Sequence, residues 1–145
     1  MAATFNYVVS TGDHISEWLE DEGINAAELA RRLNVTPKHV SELLSGKAPL
    51  SHQLALSLET VTGIPARIWN LYESNYRSQL ARRAVDDELK KQHEAAKSFP
   101  LCYLRKWGHI KAGPRDKAGT VRDLLSLLRI ASLDAFDETW VHGKV

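Results

Sequence analysis

The stretch AAELARRLNVTPKHVSELLSG, residues 26–46, decides the fold, because it holds two short apolar stripes of helical period with almost no chain between them. The first helix is predicted from about Asn25 to Leu33, and Thr36 is predicted to cap the second, with Pro37 as its first helical residue. Gly46 then supplies a left-handed stop. The residues predicted to face inward are Leu29, Ala30, Leu33, Val40, Leu43 and Leu44.

Helices of eight to ten residues are marginal in water, so both must be stabilised by packing against other elements. Two such helices joined by a tight turn form a rigid corner. If a hydrophobic base holds one of them, the other can project outward. This arrangement is the helix-turn-helix, whose second helix fits the major groove of DNA.

The face of the second helix opposite its apolar stripe is polar. Counting 100° per residue from Val40 places Lys38, Glu42 and Ser45 together on this face, with Ser41 at its margin. A lysine can donate to guanine O6 and N7, a glutamate can accept from cytosine N4, and serine can do either. Lys47 and the helix N-terminus at Thr36 are placed for phosphate contacts. The alternative is that this face is merely solvated.

Further helices are predicted on both sides of this corner. Thr11 is a predicted N-cap for a helix that carries Ile15, Trp18 and Leu19 inward and ends at Gly23; the residues before Gly12 form an arm or a short strand. A fourth helix starts at Ser51, carries Leu54, Leu58 and Val61 inward, and ends at Gly63. Pro65 opens a longer one with Ile68, Trp69, Tyr72, Tyr76 and Leu80 on one side. We interpret Trp69, Tyr72 and Tyr76 as core residues, and also as candidates for a dimer interface.

The polar run ARRAVDDELKKQHEAAKS, residues 81–98, predicts a solvated helix that connects two packed units, with a disordered hinge as the alternative. Short helices are predicted beyond it in LCYLRKWGHI, TVRDLLSLLRI and LDAFDETW. We therefore expect an all-α protein. Its predicted parts are a helix-turn-helix domain over residues 12–83, a polar connector over 84–98 and a small helical unit over 99–145.

A family resemblance rests on these residues. Leu29, Ala30, Leu33, Val35, Val40 and Leu43 look like the apolar positions of the phage-repressor-like (Xre, lambda-repressor-like) helix-turn-helix family, and TPKHVSELLSGKAPLS followed by LALSLETVTGIPARIWNLYESNY is similar to HigA-type antitoxins. The resemblance covers residues 12–83. It implies a five-helix domain and a dimer on a palindromic DNA operator. It also implies base contacts from Lys38, Ser41, Glu42 and Ser45, and backbone contacts around Thr36, His39 and Lys47.

The sequence departs from this family at two positions. Many relatives carry glutamine where this chain has Ala26, so the phosphate contact of that side chain is absent or supplied by Asn25. Many have glycine in the turn where this chain has Asn34, but asparagine tolerates the left-handed conformation.

From Phe99 onward the chain resembles the helical connector of longer regulators that end in an ImmA/IrrE-type zinc peptidase. The H-E-x-x-H motif of that peptidase does not occur, so the chain is either a natural short form or the front piece of a longer protein; the abrupt end at VHGKV favours the second.

Composition and charge limit the function classes. No apolar run is long enough to span a bilayer and no secretory signal is recognisable, so we expect a soluble cytoplasmic protein without membrane contact. The six histidines are scattered and the single cysteine, Cys102, is interpreted as a buried small hydrophobe. Without a metal motif, a phosphate loop or a nucleophile context, we expect neither a cofactor, nor a metal, nor an enzyme. Trp18, Trp69, Trp107 and Trp140 are predicted to be core or interface anchors.

Charge is distributed unevenly along the chain. Residues 12–64 contain four basic and eight acidic residues, a balance of −4, whereas residues 97–129 contain eight basic and two acidic residues, a balance of +6. The basic segment is either a solvated face or a second phosphate-facing surface.

The helix-turn-helix pattern and the family resemblance together predict a transcriptional regulator, most simply a repressor. The alternatives are an antitoxin that blocks a toxin protein and regulates its own operon, and a protein-interaction module without DNA binding.

Overall fold

The computed structural model describes residues 8–143, and these contain helices and loops but no strand. The all-α prediction is confirmed. The arm or strand was predicted before Gly12, and residues 1–7 of that segment lie outside the described residues. The helices are α1 Thr11–Glu22, α2 Ala26–Leu33, α3 Pro37–Ser45, α4 His52–Thr62, α5 Ala66–Ala96, α6 Leu101–Lys106 and α7 Lys117–Leu128, followed by a 3-10 turn Leu133–Ala135 and a π turn Asp137–Val141. In the described part of the chain, no helix is long and apolar enough to cross a membrane.

The start of α1 differs from the prediction, because Ser10 and not Thr11 is the N-cap. The Ser10 hydroxyl accepts a hydrogen bond from the Asp13 backbone N–H at 3.0 Å, and the Asp13 carboxylate accepts one from the Ser10 N–H at 3.0 Å. This reciprocal pair is a capping box. A cap at Thr11 would place His14 at the third helical position, where no carboxylate could complete the pair, so the helix starts one residue earlier.

The predicted corner of α2 and α3 is confirmed in its local details. Thr36 is the N-cap of α3, Pro37 is its first helical residue, and Gly46 ends it with φ of 83°. Asn34 ends α2 with φ of 57°, the left-handed conformation that asparagine tolerates better than most residues. The helix predicted to start at Ser51 begins at His52, with Ser51 as its N-cap; the Ser51 hydroxyl accepts from the Leu54 N–H at 3.1 Å.

The described residues form two compact units, the first ending at Ala81 and the second beginning at Arg82. The core of the first unit contains most of the side chains predicted to face inward, with Leu44 and Val61 packed on it half-buried. Trp69 is its largest buried member, with 1% of its surface exposed. The core residues include Ile15, Leu19, Leu29, Ala30, Leu33, Val40, Leu43, Leu54 and Leu58.

The second unit has a separate apolar core. Leu89 and Ala96 of α5 are buried in it with Val121, Leu124 and Leu125 of α7. The polar run of residues 81–96 is thus helical, and two of its side chains are core residues of this unit rather than part of a fully solvated surface. The predicted limits of the connector at residues 84 and 98 stay a prediction.

Three residues of the second unit were predicted to be buried or anchoring and are exposed. Cys102 is exposed, and Trp107 and Trp140 expose 61% and 56% of their surface. The six-residue α6 packs on the core only through Leu101 and Leu104, so its other apolar side chains point away. The indole of Trp140 donates from Nε1 to the Leu128 carbonyl oxygen at 2.8 Å while its ring stays exposed.

Candidate nucleic-acid interface

The corner between α2 and α3 is built by three residues, Asn34, Val35 and Thr36. The Val35 N–H donates to the Ala30 carbonyl oxygen at 3.0 Å, which closes the end of α2 while Val35 packs half-buried on the core. Val40 and Leu43 are fully buried on the inner side of α3. Because the apolar side of α3 is held by this core, its opposite side is fixed in an outward direction.

The four predicted base-contacting residues lie on this outward side. Lys38, Ser41 and Ser45 are exposed, and Glu42 is half-exposed. Within residues 8–143, the side chains of Lys38 and Glu42 make neither a hydrogen bond nor an ion pair, so their polar atoms face solvent. Ser45 donates its hydroxyl to the Glu42 carbonyl oxygen at 3.1 Å, which leaves its oxygen as an acceptor toward the outside.

Of the predicted phosphate-contacting residues, Thr36, His39 and Lys47 lie on or next to α3, and Asn25 lies at the start of α2; Thr36 and Asn25 are helix caps. Thr36 accepts from the His39 N–H at 3.1 Å, and Asn25 accepts through Oδ1 from the Glu28 N–H at 2.9 Å. Each cap keeps a donor for an outside acceptor, the hydroxyl proton of Thr36 and the amide nitrogen of Asn25. Lys47 is exposed directly after the end of α3. Their contacts with DNA remain predictions.

A polar cleft of about 500 Å³ lies beside the start of α3, and the sequence analysis missed part of it. His39 lines the cleft together with Ser51, Gln53 and Ser57 of the α4 region. Ser51 was predicted as the start of a helix, but its position in one cleft with His39 depends on how α4 packs. The one sequence signal was the pair of polar residues, His52 and Gln53, at the exposed start of α4.

Two arginines of α2 are partly neutralised by a neighbouring carboxylate. Arg31 and Arg32 are exposed and both donate to Glu28, from Nε at 3.0 and 3.2 Å respectively. The hydrogen bond from Arg31, followed by that from Arg32, lowers the pKa of the Glu28 carboxyl below its ordinary value. Because this ion pair is exposed, the arginines can exchange Glu28 for an outside anion at small cost.

The three residues proposed for a dimer interface differ in their surroundings. Trp69 is buried in the first core, so it is corrected from a candidate interface residue to a core residue. Its Nε1 lies 3.3 Å from the Thr62 hydroxyl, to which it donates. Tyr72 is half-buried and stacks on His14 with ring centroids 3.7 Å apart. Tyr76 is half-buried beside Gly46. Of the three predicted interface residues, only Tyr72 and Tyr76 have exposed surface that a second copy of the chain could contact.

An outward helix held by a short left-handed turn against a helical base defines the helix-turn-helix class, and comparison with known proteins agrees. Residues 15–69 match the Helix-turn-helix family. The chain is also 32% identical over 75 residues to the uncharacterized HTH-type transcriptional regulator YddM of Escherichia coli (strain K12). That similarity covers 52% of this chain and 80% of the relative. The chain belongs to the helix-turn-helix family.

Proposed function

We propose that the chain is a sequence-specific regulator of transcription that reads double-stranded DNA with α3. The observation that carries this proposal is the outward side of α3, on which Lys38, Ser41, Glu42 and Ser45 stand on a helix that the core fixes in place. A helix held in this way enters the major groove as a rigid body, so little conformational entropy is lost on binding.

Side chains on and around α3 have two separate roles, contact with the bases and contact with the phosphates. Lys38 donates to guanine and Glu42 accepts from the cytosine amino group, and Ser41 and Ser45 complete the base contacts. A good base contact discriminates by about 1–3 kcal/mol. Asn25, Thr36, His39 and Lys47 hold the phosphates, which orient the domain on the duplex without reading its sequence.

Electrostatics favours selective over indiscriminate binding. The balance of −4 over residues 12–64 gives this part of the chain no bulk attraction for phosphates, so its binding depends on the few cations near α3. A duplex that lacks matching bases loses the base contacts and keeps only these few phosphate contacts. We therefore expect weak binding to random DNA.

A homodimer on a palindromic operator fits this mode of reading. Two copies would place their α3 helices about one DNA turn, roughly 34 Å, apart, with the outer edges of Tyr72 and Tyr76 on α5 as part of the contact. Occupation of an operator that overlaps a promoter would block transcription, so the regulator acts as a repressor.

Two substitutions test the assignment of roles. Glu42→Ala should change the preferred sequence more than the total affinity, while Lys47→Ala should weaken all sequences alike and lower the salt slope by about one. Both are measured by fluorescence anisotropy on a selected and a scrambled duplex across a salt series. Glu20→Ala and Lys90→Ala are the matched controls, since they remove the same charges at exposed positions with no proposed contact. Equal losses on both duplexes for Glu42→Ala, or a loss confined to the selected duplex for Lys47→Ala, would refute the assignment.

A HigA-type antitoxin is the second candidate, favoured by the similarity of residues 36–76 to that family. In this case the chain would bind and block a toxin protein and use α3 to regulate its own operon. A small toxin reading frame beside the gene and a stable complex with its product would support this candidate. An in-frame ImmA/IrrE-type peptidase downstream would instead support a longer regulator of which this chain is the front piece.

A further inference from the structure

A chain of hydrogen bonds links two helices of the first unit, α1 and α5, to the loop that follows α3. Thr11 on α1 donates its hydroxyl to Glu73 Oε2 at 2.7 Å. Arg77, one turn along α5, donates from Nε to Glu73 Oε1 at 2.6 Å. The same guanidinium donates from Nη2 to the carbonyl oxygens of Gly46 at 3.2 Å and Ala48 at 3.4 Å.

The members of this chain are held from several sides. Thr11 exposes 2% of its surface, and the side chain of Glu73 exposes 12%. The Arg77 guanidinium also lies over the ring of Tyr76, with its carbon 5.0 Å from the ring centroid. A Cβ on Gly46 would lie 2.9 Å from the Tyr76 hydroxyl oxygen, so the end of α3 is in close contact with α5.

The chemistry of the contact requires arginine. Carbonyl groups at and beyond the end of a helix have no partner within the helix and must be satisfied from outside. The guanidinium is a planar group with five N–H donors in fixed directions. Its Nε–H can therefore bind Glu73 while Nη2 binds the two loop carbonyls. A lysine carries a single ammonium on a flexible stem and cannot hold both groups in one geometry.

We propose that Arg77, oriented by Glu73, is a positioning residue that fixes the loop 46–48 and thereby directs Lys47 toward the DNA backbone. The inference rests on the proposed function, because it assumes that α3 and Lys47 meet DNA. Arg77 itself acts through the loop and does not contact the nucleic acid. No role for α5 in DNA reading follows from the outward side of α3 alone.

The first test is made without DNA, by amide hydrogen exchange measured by NMR. The N–H of Ala48 donates to the Glu42 carbonyl oxygen at 3.1 Å, and that of Gly46 to the Leu43 carbonyl oxygen at 3.3 Å, so both report on the loop. Arg77→Met should raise exchange of these two amides at least about tenfold, while the Ala55 amide of α4 keeps its rate. Arg67→Met, an exposed arginine of the same helix, is the matched control and should change neither.

The second test is a double-mutant cycle on the selected DNA duplex. If Arg77 acts through Lys47, then Lys47→Ala should lose much less affinity in the Arg77→Met background than in the unmodified protein. Arg77→Lys keeps the charge but loses the planar group, and it should resemble Arg77→Met in both exchange and binding. Glu73→Gln should also raise the exchange rates of the Gly46 and Ala48 amides, but less than Arg77→Met does.

Several results would overturn the proposal. Unchanged exchange at Gly46 and Ala48 in Arg77→Met would show that the guanidinium does not hold the loop, whatever the DNA result. Additive losses in the cycle, or full rescue of binding by Arg77→Lys, would make Arg77 a direct phosphate contact. Absence of DNA binding by the unmodified protein would instead refute the proposed function, and the exchange result would still decide whether the loop is held by Arg77.

Discussion

Substitution of Gly12 by alanine tests how closely α1 approaches α3. Gly12 is buried in the first turn of α1, and a Cβ built on it would overlap the backbone carbonyl of Leu44 and lie 2.8 Å from the Leu44 Cα. Favourable carbon–carbon contacts are about 3.5–4.0 Å apart, so the two helices would have to separate by about 1 Å. The obstacle is backbone, and no side-chain rotation can remove it.

Two opposing effects set the size of the change. Alanine is more favourable than glycine within a helix by up to about 1 kcal/mol. Overpacking in a well-packed core costs about 1–3 kcal/mol, and the upper end applies here because the whole of α3 must move. We therefore expect a net loss of about 2 kcal/mol in the free energy of unfolding. For a unit of this size, that loss lowers the melting temperature by about 10 °C or more.

The assay is urea and thermal unfolding followed by circular dichroism, combined with DNA binding by anisotropy. Gly12→Ala should unfold earlier and bind its selected duplex more weakly, because α3 is displaced. Gly113→Ala is the matched control, since a Cβ there meets nothing within 4 Å, and it should be neutral or slightly stabilising. A stabilised Gly12→Ala protein with unchanged DNA binding would show that α1 and α3 are not in close contact.

Substitutions elsewhere test the first core, the turn after α2 and the ion pair of Glu28. Trp69→Ala should cost about 3–5 kcal/mol in thermal unfolding, whereas Trp107→Ala, at a largely exposed ring, should cost little; equal effects would contradict the assignment of the core. Asn34→Ala should cost about 1–2 kcal/mol because the left-handed backbone penalises a Cβ, and Asn34→Gly should avoid this cost; a stable alanine variant would contradict the turn. The lowered pKa of Glu28 means that its ion pair adds stability above the ordinary carboxyl pKa and loses it as the pH falls through the lowered value. The pKa of Glu28, measured by NMR titration, should therefore be higher in Arg31→Ala than in the unmodified protein. An unchanged pKa would show that Arg31 is not the cause of the shift.

The helical corner could be predicted from sequence because its signals are local. Thr36, Pro37 and Gly46 are cap and stop residues whose effect depends on the nearest turn of chain, and the apolar stripe of α3 fixes which side faces outward. The polar side chains on the opposite side were predicted by the same rotation. Ser10 was missed as the cap of α1 because it adjoins Thr11, a second residue able to cap a helix; the Asp13 carboxylate, which accepts from the Ser10 N–H, decides for Ser10.

Features that depend on tertiary packing were outside the reach of sequence patterns. Apolar neighbours suggested burial for Cys102 and Trp107, but the short α6 contributes only one narrow side to its core. The contact of Arg77 with Gly46 and Ala48 joins residues about thirty positions apart, and no periodicity indicates it. Trp69 was ambiguous between core and interface, and only its burial by neighbouring helices decides for the core.

The most direct test of the account is selection of bound sequences from a random pool of duplex DNA, followed by anisotropy of the enriched and a scrambled duplex across a salt series. We expect a palindromic sequence bound on the order of 10³-fold or more tightly than the scramble, with half-sites about one helical turn apart. Failure to enrich any sequence, with only weak and steeply salt-dependent binding, would contradict it and favour a protein-interaction module.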